Sequence, residues 1–385
     1  MTIDPPAGFG VYTTSAGLLD DGRDDLTVIV SDVPAVSAAM FTKSRFAGPS
    51  VRVSRDAARA HQFRGVVVLA RNANVATGEE GTAHAVEVRR RVANKVGVDE
   101  EELIIASTGV IGVKYPMDSV RAALDRLSYP FPSGDFNAAA RAIMTTDTRP
   151  KIVRVRSGAA TIVGVAKGIG MIEPDMATML SFFCTDAALD AEALDRVFRS
   201  VVERTFNAVS IDTDTSTSDT AAIIANGLAG PVGLPQFEED LWSAALHLVR
   251  EIARDGEGAS KLIEVRVEGA RDAAQAKRVG KSVVNSPLVK TAVHGGDPNW
   301  GRVAMAIGKC QDDLDISAQN VRIGFGEQRV YPGSVDVVEL ERLTGYLAGS
   351  SVVITIDLGI ADGEFTVYGC DLTEGYVRLN SSYTT

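Results

Sequence analysis

The chain alternates between two spacings of apolar residues. Val66–Ala70 (VVVLA), Ile152–Arg156, Lys261–Glu268 (KLIEVRVE), Val303–Ile307 and Val352–Asp357 (VVITID) read as strands. Most are β-branched and lie close to Gly, Asn or Asp. ELIIAS (Glu102–Ser107) reads as another strand. Ala83–Val96, Met117–Leu127, Ala191–Phe206 and Glu238–Ala253 carry helical spacing instead. The last is the clearest, because Leu241, Ala244, Ala245, Leu248, Val249 and Ile252 fall on one face. Asp255-Gly256 then ends it.

VRVSR (Val51–Arg55), IVRVR and LIEVRVE alternate apolar with polar residues. Strands of that kind bury one face and expose the other. The pattern predicts α+β layers rather than a doubly wound parallel sheet. No low-complexity linker or clear internal repeat interrupts it, and composition marks no domain boundary. The 385 residues hold enough chain for two or three domains' worth of core at roughly 150 residues each.

Composition narrows the function classes. The chain is 45% hydrophobic and 23% charged, ordinary for a globular protein. Lys+Arg number 39 against 50 Asp+Glu, so the net charge is −11. A nucleic-acid binder would carry a basic face, and so would a protein docking on anionic lipid. The longest uncharged stretch, Thr220–Phe237, contains Gly227, Gly230, Pro231, Gly233 and Pro235 and does not read as a membrane helix. The opening MTIDPPAGFGVYTT lacks the basic and apolar regions of a secretory signal. Cys184, Cys310 and Cys370 are odd in number and far apart, as expected of small core residues in a cytoplasmic protein. His61, His84, His247 and His294 are equally scattered, which argues against zinc or a histidine-based triad.

Several local motifs fail on inspection. KRVGKS (Lys277–Ser282) ends like a phosphate-binding loop, but its first glycine would fall at Gln275. KGIG (Lys167–Gly170) and GEG (Gly256–Gly258) are too short for a dinucleotide fingerprint. Asp212, Asp214 and Ser216 begin like a calcium loop that would need Gly at Thr217 and Glu at Ile223. These read as turns and caps.

The informative stretch is Gly164–Asp186, GVAKGIGMIEPDMATMLSFFCTD. Taken alone it is a strand, a turn and a strand, with Thr178 a β-former. Its KGIGM followed by ATML resembles the self-cleavage site of the ornithine acetyltransferase (glutamate N-acetyltransferase) family. The resemblance runs the length of the chain. STGVIG (Ser107–Gly112) is similar to the family's oxyanion loop and MTTDT (Met144–Thr148) to a substrate loop. DGEGASK (Asp255–Lys261), GGDPNWGR (Gly295–Arg302) and NSSYTT (Asn380–Thr385) match further signatures in the same order. Two segments depart from the usual pattern: ARNANVATG (Ala70–Gly78) replaces an SGNANA-like loop, and TDTSTSD (Thr213–Asp219) replaces GDTSTND. These variants resemble the members found in clavulanic-acid-type antibiotic clusters.

The resemblance implies a layered α-β-β-α sandwich of the ornithine acetyltransferase and β-aminopeptidase type. It implies a precursor that cuts itself between Ala177 and Thr178 into chains of residues 1–177 and 178–385, which stay together as one intertwined unit and assemble into a higher oligomer. It implies Thr178 as nucleophile, Thr108 and Gly109 as the oxyanion hole, and Thr145, Lys167, Glu257, Asn380 and Thr385 with Thr178 as substrate ligands. No metal or organic cofactor is implied.

The residue types suit that chemistry. A threonine hydroxyl needs a base, and a freed α-amino group titrates near ~7.7–8, so Thr178 would supply its own. The lysine suits a carboxylate, and the glutamate suits the ammonium of ornithine. By charge alone, Lys167 and Glu257 would pass for solvated surface groups, and the tail for a frayed end. Acetyl would pass from N-acetylornithine to Thr178 and then to glutamate. A hydrolase handing the same acyl group to water, and a non-catalytic amino-acid binder, are the alternatives.

Overall fold

The computed structural model describes residues 4–19, 22–132, 134–173, 179–333 and 336–382. Three mixed sheets and the helices between them make up the fold. The first sheet runs β1 (Phe9–Thr14), β2 (Leu26–Ser31), β4 (Gly65–Asn72), β5 (Leu103–Val110), with β3 (Val36–Phe41) leaving it for the second. The second sheet orders β3, β9 (Thr220–Pro231), β8 (Leu180–Ala188), β7 (Ala160–Lys167) and β6 (Lys151–Ser157). The third orders β12 (Gln328–Tyr331), β11 (Arg322–Phe325), β13 (Ser351–Asp357), β10 (Leu262–Ala270) and β14 (Gly363–Cys370). Each sheet has a single parallel pair, β4/β5, β8/β9 and β10/β13, and is otherwise antiparallel. The expected α+β class is therefore observed.

Side-chain alternation decides the layering. Val66, Val68 and Ile104 of the first sheet share one core with Val163, Phe182 and Ile224 of the second. Two helices, α1 (Pro49–Ala58) and α4 (Phe136–Ala142), contribute to that core. The opposite face of the first sheet is covered by α2 (Gly78–Val96) and α3 (Met117–Asp125). The opposite face of the second is covered by α5 (Ala191–Arg204) and α6 (Leu234–Arg254). This is the α-β-β-α sandwich, and α6 also reaches the third sheet through Leu262 and Cys370. The far side of that sheet packs on α7 (Ala273–Val284), α8 (Pro287–Gly295), α9 (Trp300–Gly308) and α10 (Val337–Leu347). A last helix, α11 (Glu374–Ser382), has no buried residue.

Local signals explain the helices that were foreseen. The apolar face assigned to α6 is fully buried at Leu241, Ala244, Ala245, Leu248, Val249 and Ile252. In α5 the Asp190 carboxylate accepts from the Glu192 and Ala193 amides, and Leu194, Val197, Phe198, Val201 and Val202 face the core. The segment KRVGKS lies within α7, so its glycine serves helix packing and no phosphate loop.

Two expected strands are helices. VRVSR belongs to α1, where Pro49 starts the helix and Val51, Ser54, Ala57 and Ala58 are buried at helical spacing. Val303–Ile307 belongs to α9, where the Asn299 side chain caps Arg302 N and Val303, Ala306 and Ile307 face inward. Five residues are too few to distinguish the two periods, and the flanking cap and proline decide.

Phe183 of β8 is the centre of the core under α5. It lies edge-on to Phe198 at 6.4 Å and tilted against Phe206 at 6.1 Å. Phe183→Ala should cost about 3–5 kcal/mol, seen as a lowered denaturant midpoint with an unchanged slope. A loss under 1 kcal/mol would show that this core is not closely packed.

Candidate functional site

The site forms where the edge strand β5 approaches the end of β7. Thr108, Gly109, Thr145, Lys167, Glu257 and Asn380 all line one pocket. They come from β5, the 144–148 loop, β7, the turn after α6, and α11. Ala177, Thr178 and Thr385 lie outside the described residues, and Met179, next in sequence to Thr178, lines the same pocket.

Gly109 permits the shape of β5 here. Its φ is +128°, and a Cβ would sit 2.1 Å from the backbone carbon of Arg71 on β4. Beside it, Lys167 Nζ donates to Thr108 Oγ1 at 3.1 Å. That leaves the Thr108 hydroxyl hydrogen available to donate elsewhere. Lys167 is 8% exposed. Burial pulls its ammonium below the usual lysine range, while Asp147, Asp219 and Glu257 oppose that shift.

The anionic side is Glu257. Its Oε1 accepts from Thr146 Oγ1 at 3.2 Å, and its Oε2 from Asn380 Nδ2 at 2.8 Å. Its backbone N donates to Ile169 O at 2.9 Å, tying it to the turn after Lys167. Gly258 follows with φ +68°, and a Cβ there would meet Tyr376 N at 2.4 Å. The close approach lets α11 lie against this turn. The ordered tail needed to bring Asn380 to the pocket is thus present as far as Ser382.

A buried charge network supports the pocket. Lys151 Nζ is 2.7 Å from both Asp147 Oδ1 and Asp255 Oδ2, and its side chain is fully buried. Asp147 Oδ1 also accepts from Gly168 N at 2.8 Å, and Oδ2 from Thr145 N at 3.1 Å. Asp255 accepts from the Thr148 amide at 3.1 Å and from the Thr148 hydroxyl. The trio therefore locks the Thr145 loop, the turn after Lys167 and the turn before Glu257 into one geometry. Burial pushes the Asp147 carboxyl up, but Lys151 and Lys167 outweigh it and hold it below the usual range.

Sequence reasoning missed Thr146 and Ser216–Asp219, which also line the pocket. The available signal was the TDTSTSD segment, read only as a departure from the usual pattern. Asp219 is 1% exposed. Burial raises its carboxyl well above the usual range, with Ser216, Lys167 and Thr42 opposing. Asp212, rejected above as a calcium ligand, accepts from Met171 N at 2.6 Å and Ile172 N at 2.7 Å and shapes the turn after Lys167. Cys184 and Cys370 are buried, as core residues should be. Among the described residues, no cluster of His, Cys, Asp or Glu could hold a metal ion, and no helix is long and apolar enough to cross a membrane.

The arrangement brings a cation, an anion and a hydroxyl on a strand edge into one pocket. Comparison with known proteins agrees with the sequence motifs. Residues 10–385 match the ArgJ family. The chain is 66% identical to glutamate N-acetyltransferase Oat2 of Streptomyces clavuligerus, over 100% of this chain and 99% of that protein. It is 55% identical to the arginine biosynthesis bifunctional protein ArgJ of Rhodococcoides fascians, over 100% and 96%. Among solved structures, ArgJ from Bacillus halodurans matches with a TM-score of 0.50 and 38% identity, covering 54% of this chain and 100% of that one.

The Lys151 network makes a sharp stability prediction. Lys151→Met leaves two buried carboxylates without their cation and should cost about 3–5 kcal/mol. Because Asp147 is depressed in the folded state, that network's contribution is complete above the ordinary aspartate pKa of about 3.9 and is lost as pH falls below it. The gap in denaturant midpoint between wild type and variant should therefore be widest near neutral pH and narrow in acid. A gap that does not change with pH would refute the charge argument.

Proposed function

The chain belongs to the ArgJ family and is a glutamate N-acetyltransferase, and from that premise we propose how its residues carry out the transfer. Thr178 attacks the acetyl group of N-acetylornithine, with its own freed α-amine as base. Ornithine leaves, and glutamate takes the acetyl from the Thr178 ester to give N-acetylglutamate. The Thr108 hydroxyl and the Gly109 backbone N–H donate to the developing oxyanion. Lys167 holds a substrate carboxylate and Glu257 the distal ammonium of ornithine, with Thr145, Asn380 and Thr385 completing the ligands.

The observation that carries this reading is the convergence of Thr108, Gly109, Thr145, Lys167, Glu257 and Asn380 on one pocket beside Met179. These residues come from widely separated motifs. The free hydroxyl hydrogen of Thr108 supports its part as a donor. The opposite charges of Lys167 and Glu257 suit substrates that are themselves charged at both ends.

Self-cleavage between Ala177 and Thr178 belongs to the same proposal, since only a chain break creates the amine. The Bacillus halodurans chain is matched in full by 54% of this one, and residues 178–385 make up 208 of 385, the same share. The strand order supports reading the pieces 1–177 and 178–385 as one intertwined unit. The second sheet interleaves β7 and β6 from before the break with β8 and β9 from after it. We place the working enzyme in the cytoplasm as an oligomer of such cleaved units. The TDTSTSD and ARNANVATG variants group it with Oat2-like members, and the 66% identity to Oat2 supports that grouping. Transfer to water is the less favoured reading, because Oat2, 66% identical to this chain, is named as a glutamate N-acetyltransferase.

Three experiments test the proposal. Thr178→Ala should run as one uncut chain on a denaturing gel and transfer no acetyl, whereas the wild type runs as two bands with a new amino terminus at Thr178. Normal turnover in the variant ends the proposal. Thr108→Ala should lower kcat about 10²–10³-fold, the usual loss for one oxyanion donor. In the wild type, double-reciprocal plots at several glutamate concentrations should be parallel, and ornithine release should depend on glutamate. Release at full rate without glutamate would favour the hydrolase.

A further inference from the structure

Self-cleavage poses a problem that the finished enzyme does not have. Before the chain breaks, the nitrogen of Thr178 is an amide and cannot serve as a base. The hydroxyl must still lose a proton in order to attack. Some other group has to take that proton, and the described residues offer no histidine at the pocket.

Asp219 is placed for this. It immediately precedes β9, and the next amide, Thr220 N, donates to Met179 O at 3.0 Å. On the other side its own carbonyl accepts from Thr42 N at 3.0 Å. The residue is thus clamped beside the amino acid that follows Thr178, and it lines the pocket with Thr108 and Lys167. Its side chain is buried, and Oδ2 has no hydrogen-bond partner among the described residues. A buried carboxyl oxygen without a partner is costly and calls for a reason. Nothing in the transfer reaction proposed above uses it.

We propose that Asp219 carries the proton during self-cleavage, acting as the base that the uncut chain otherwise lacks. This rests on the self-processing reading given above. The Asp219 carboxylate takes the proton from Thr178 Oγ as Oγ bonds to the Ala177 carbonyl carbon. The Ala177–Thr178 C–N bond then breaks, and Asp219 returns the proton to the departing nitrogen, which becomes the α-amine. Water hydrolyses the remaining ester, leaving a carboxylate on Ala177 and a hydroxyl on Thr178. Asp219 ends as it began. Burial favours this role, because a carboxyl raised above its usual range is a stronger base than an exposed one. From then on the new amine takes over, so the two bases act in succession.

The test follows the full chain made by cell-free translation, sampled over time on a denaturing gel, with thermal melting of the purified product. Asp219→Asn keeps the shape but cannot carry the proton, and it should cut at least about 100-fold more slowly while melting near the wild type. Asp219→Glu restores a carboxyl and should cut faster than the Asn variant. Cutting of Asp219→Asn at the wild-type rate would overturn the proposal. Equal slowing of the Asn and Glu variants would also overturn it, since the residue would then matter only for packing. A wild type that is never cut between Ala177 and Thr178 would instead remove the self-processing reading beneath it.

Discussion

The buried trio of Asp147, Lys151 and Asp255 is the constraint on which the pocket depends. Three segments that line it have little regular structure of their own. Strand and helix ladders do not fix them, so the trio and the amides it receives do so instead. One ammonium between two carboxylates leaves a net negative charge in the interior. Nearby Lys167 compensates it. The support and the pocket's Lys167 are therefore electrostatically one system, and the site cannot be rearranged piecemeal.

That system explains how an acyl-transfer site can be built without histidine or a reactive thiol. Cys184 is buried and its thiol is pushed far above the usual range, so it is chemically silent. The groups that remain are hydroxyls, one lysine, two carboxyls and backbone amides. Each is modest in water. Enclosed together, with Lys167 drawn down by burial and Asp219 pushed up by it, they are the groups to which the proposed reactions assign proton transfer and charge stabilisation.

Much of the scaffold was legible from side-chain spacing. The face of α6 and the strands β10 and β13 followed from periodicity, because burial on one side leaves a repeating mark, whereas β4, buried throughout, followed from its β-branched run. The short apolar runs in α1 and α9 misled, since their periods are ambiguous and their caps lie outside the run. The site was legible only through ordered motifs. Lys167 and Glu257 look like ordinary surface charges in isolation. Nothing in local sequence shows that Lys151 pairs with a carboxylate 104 positions away. Asp219 stayed hidden for the same reason, because a single buried carboxyl leaves no periodic trace.

The hydrogen bond from Asn380 to Glu257 spans 123 positions of sequence. The glutamate is synthesised long before its amide partner leaves the ribosome. Until α11 has emerged and folded back across Gly258, Glu257 Oε2 lacks this partner. A residue translated near the end is thereby part of the pocket's wall, and a chain that stops before residue 380 leaves that wall unfinished.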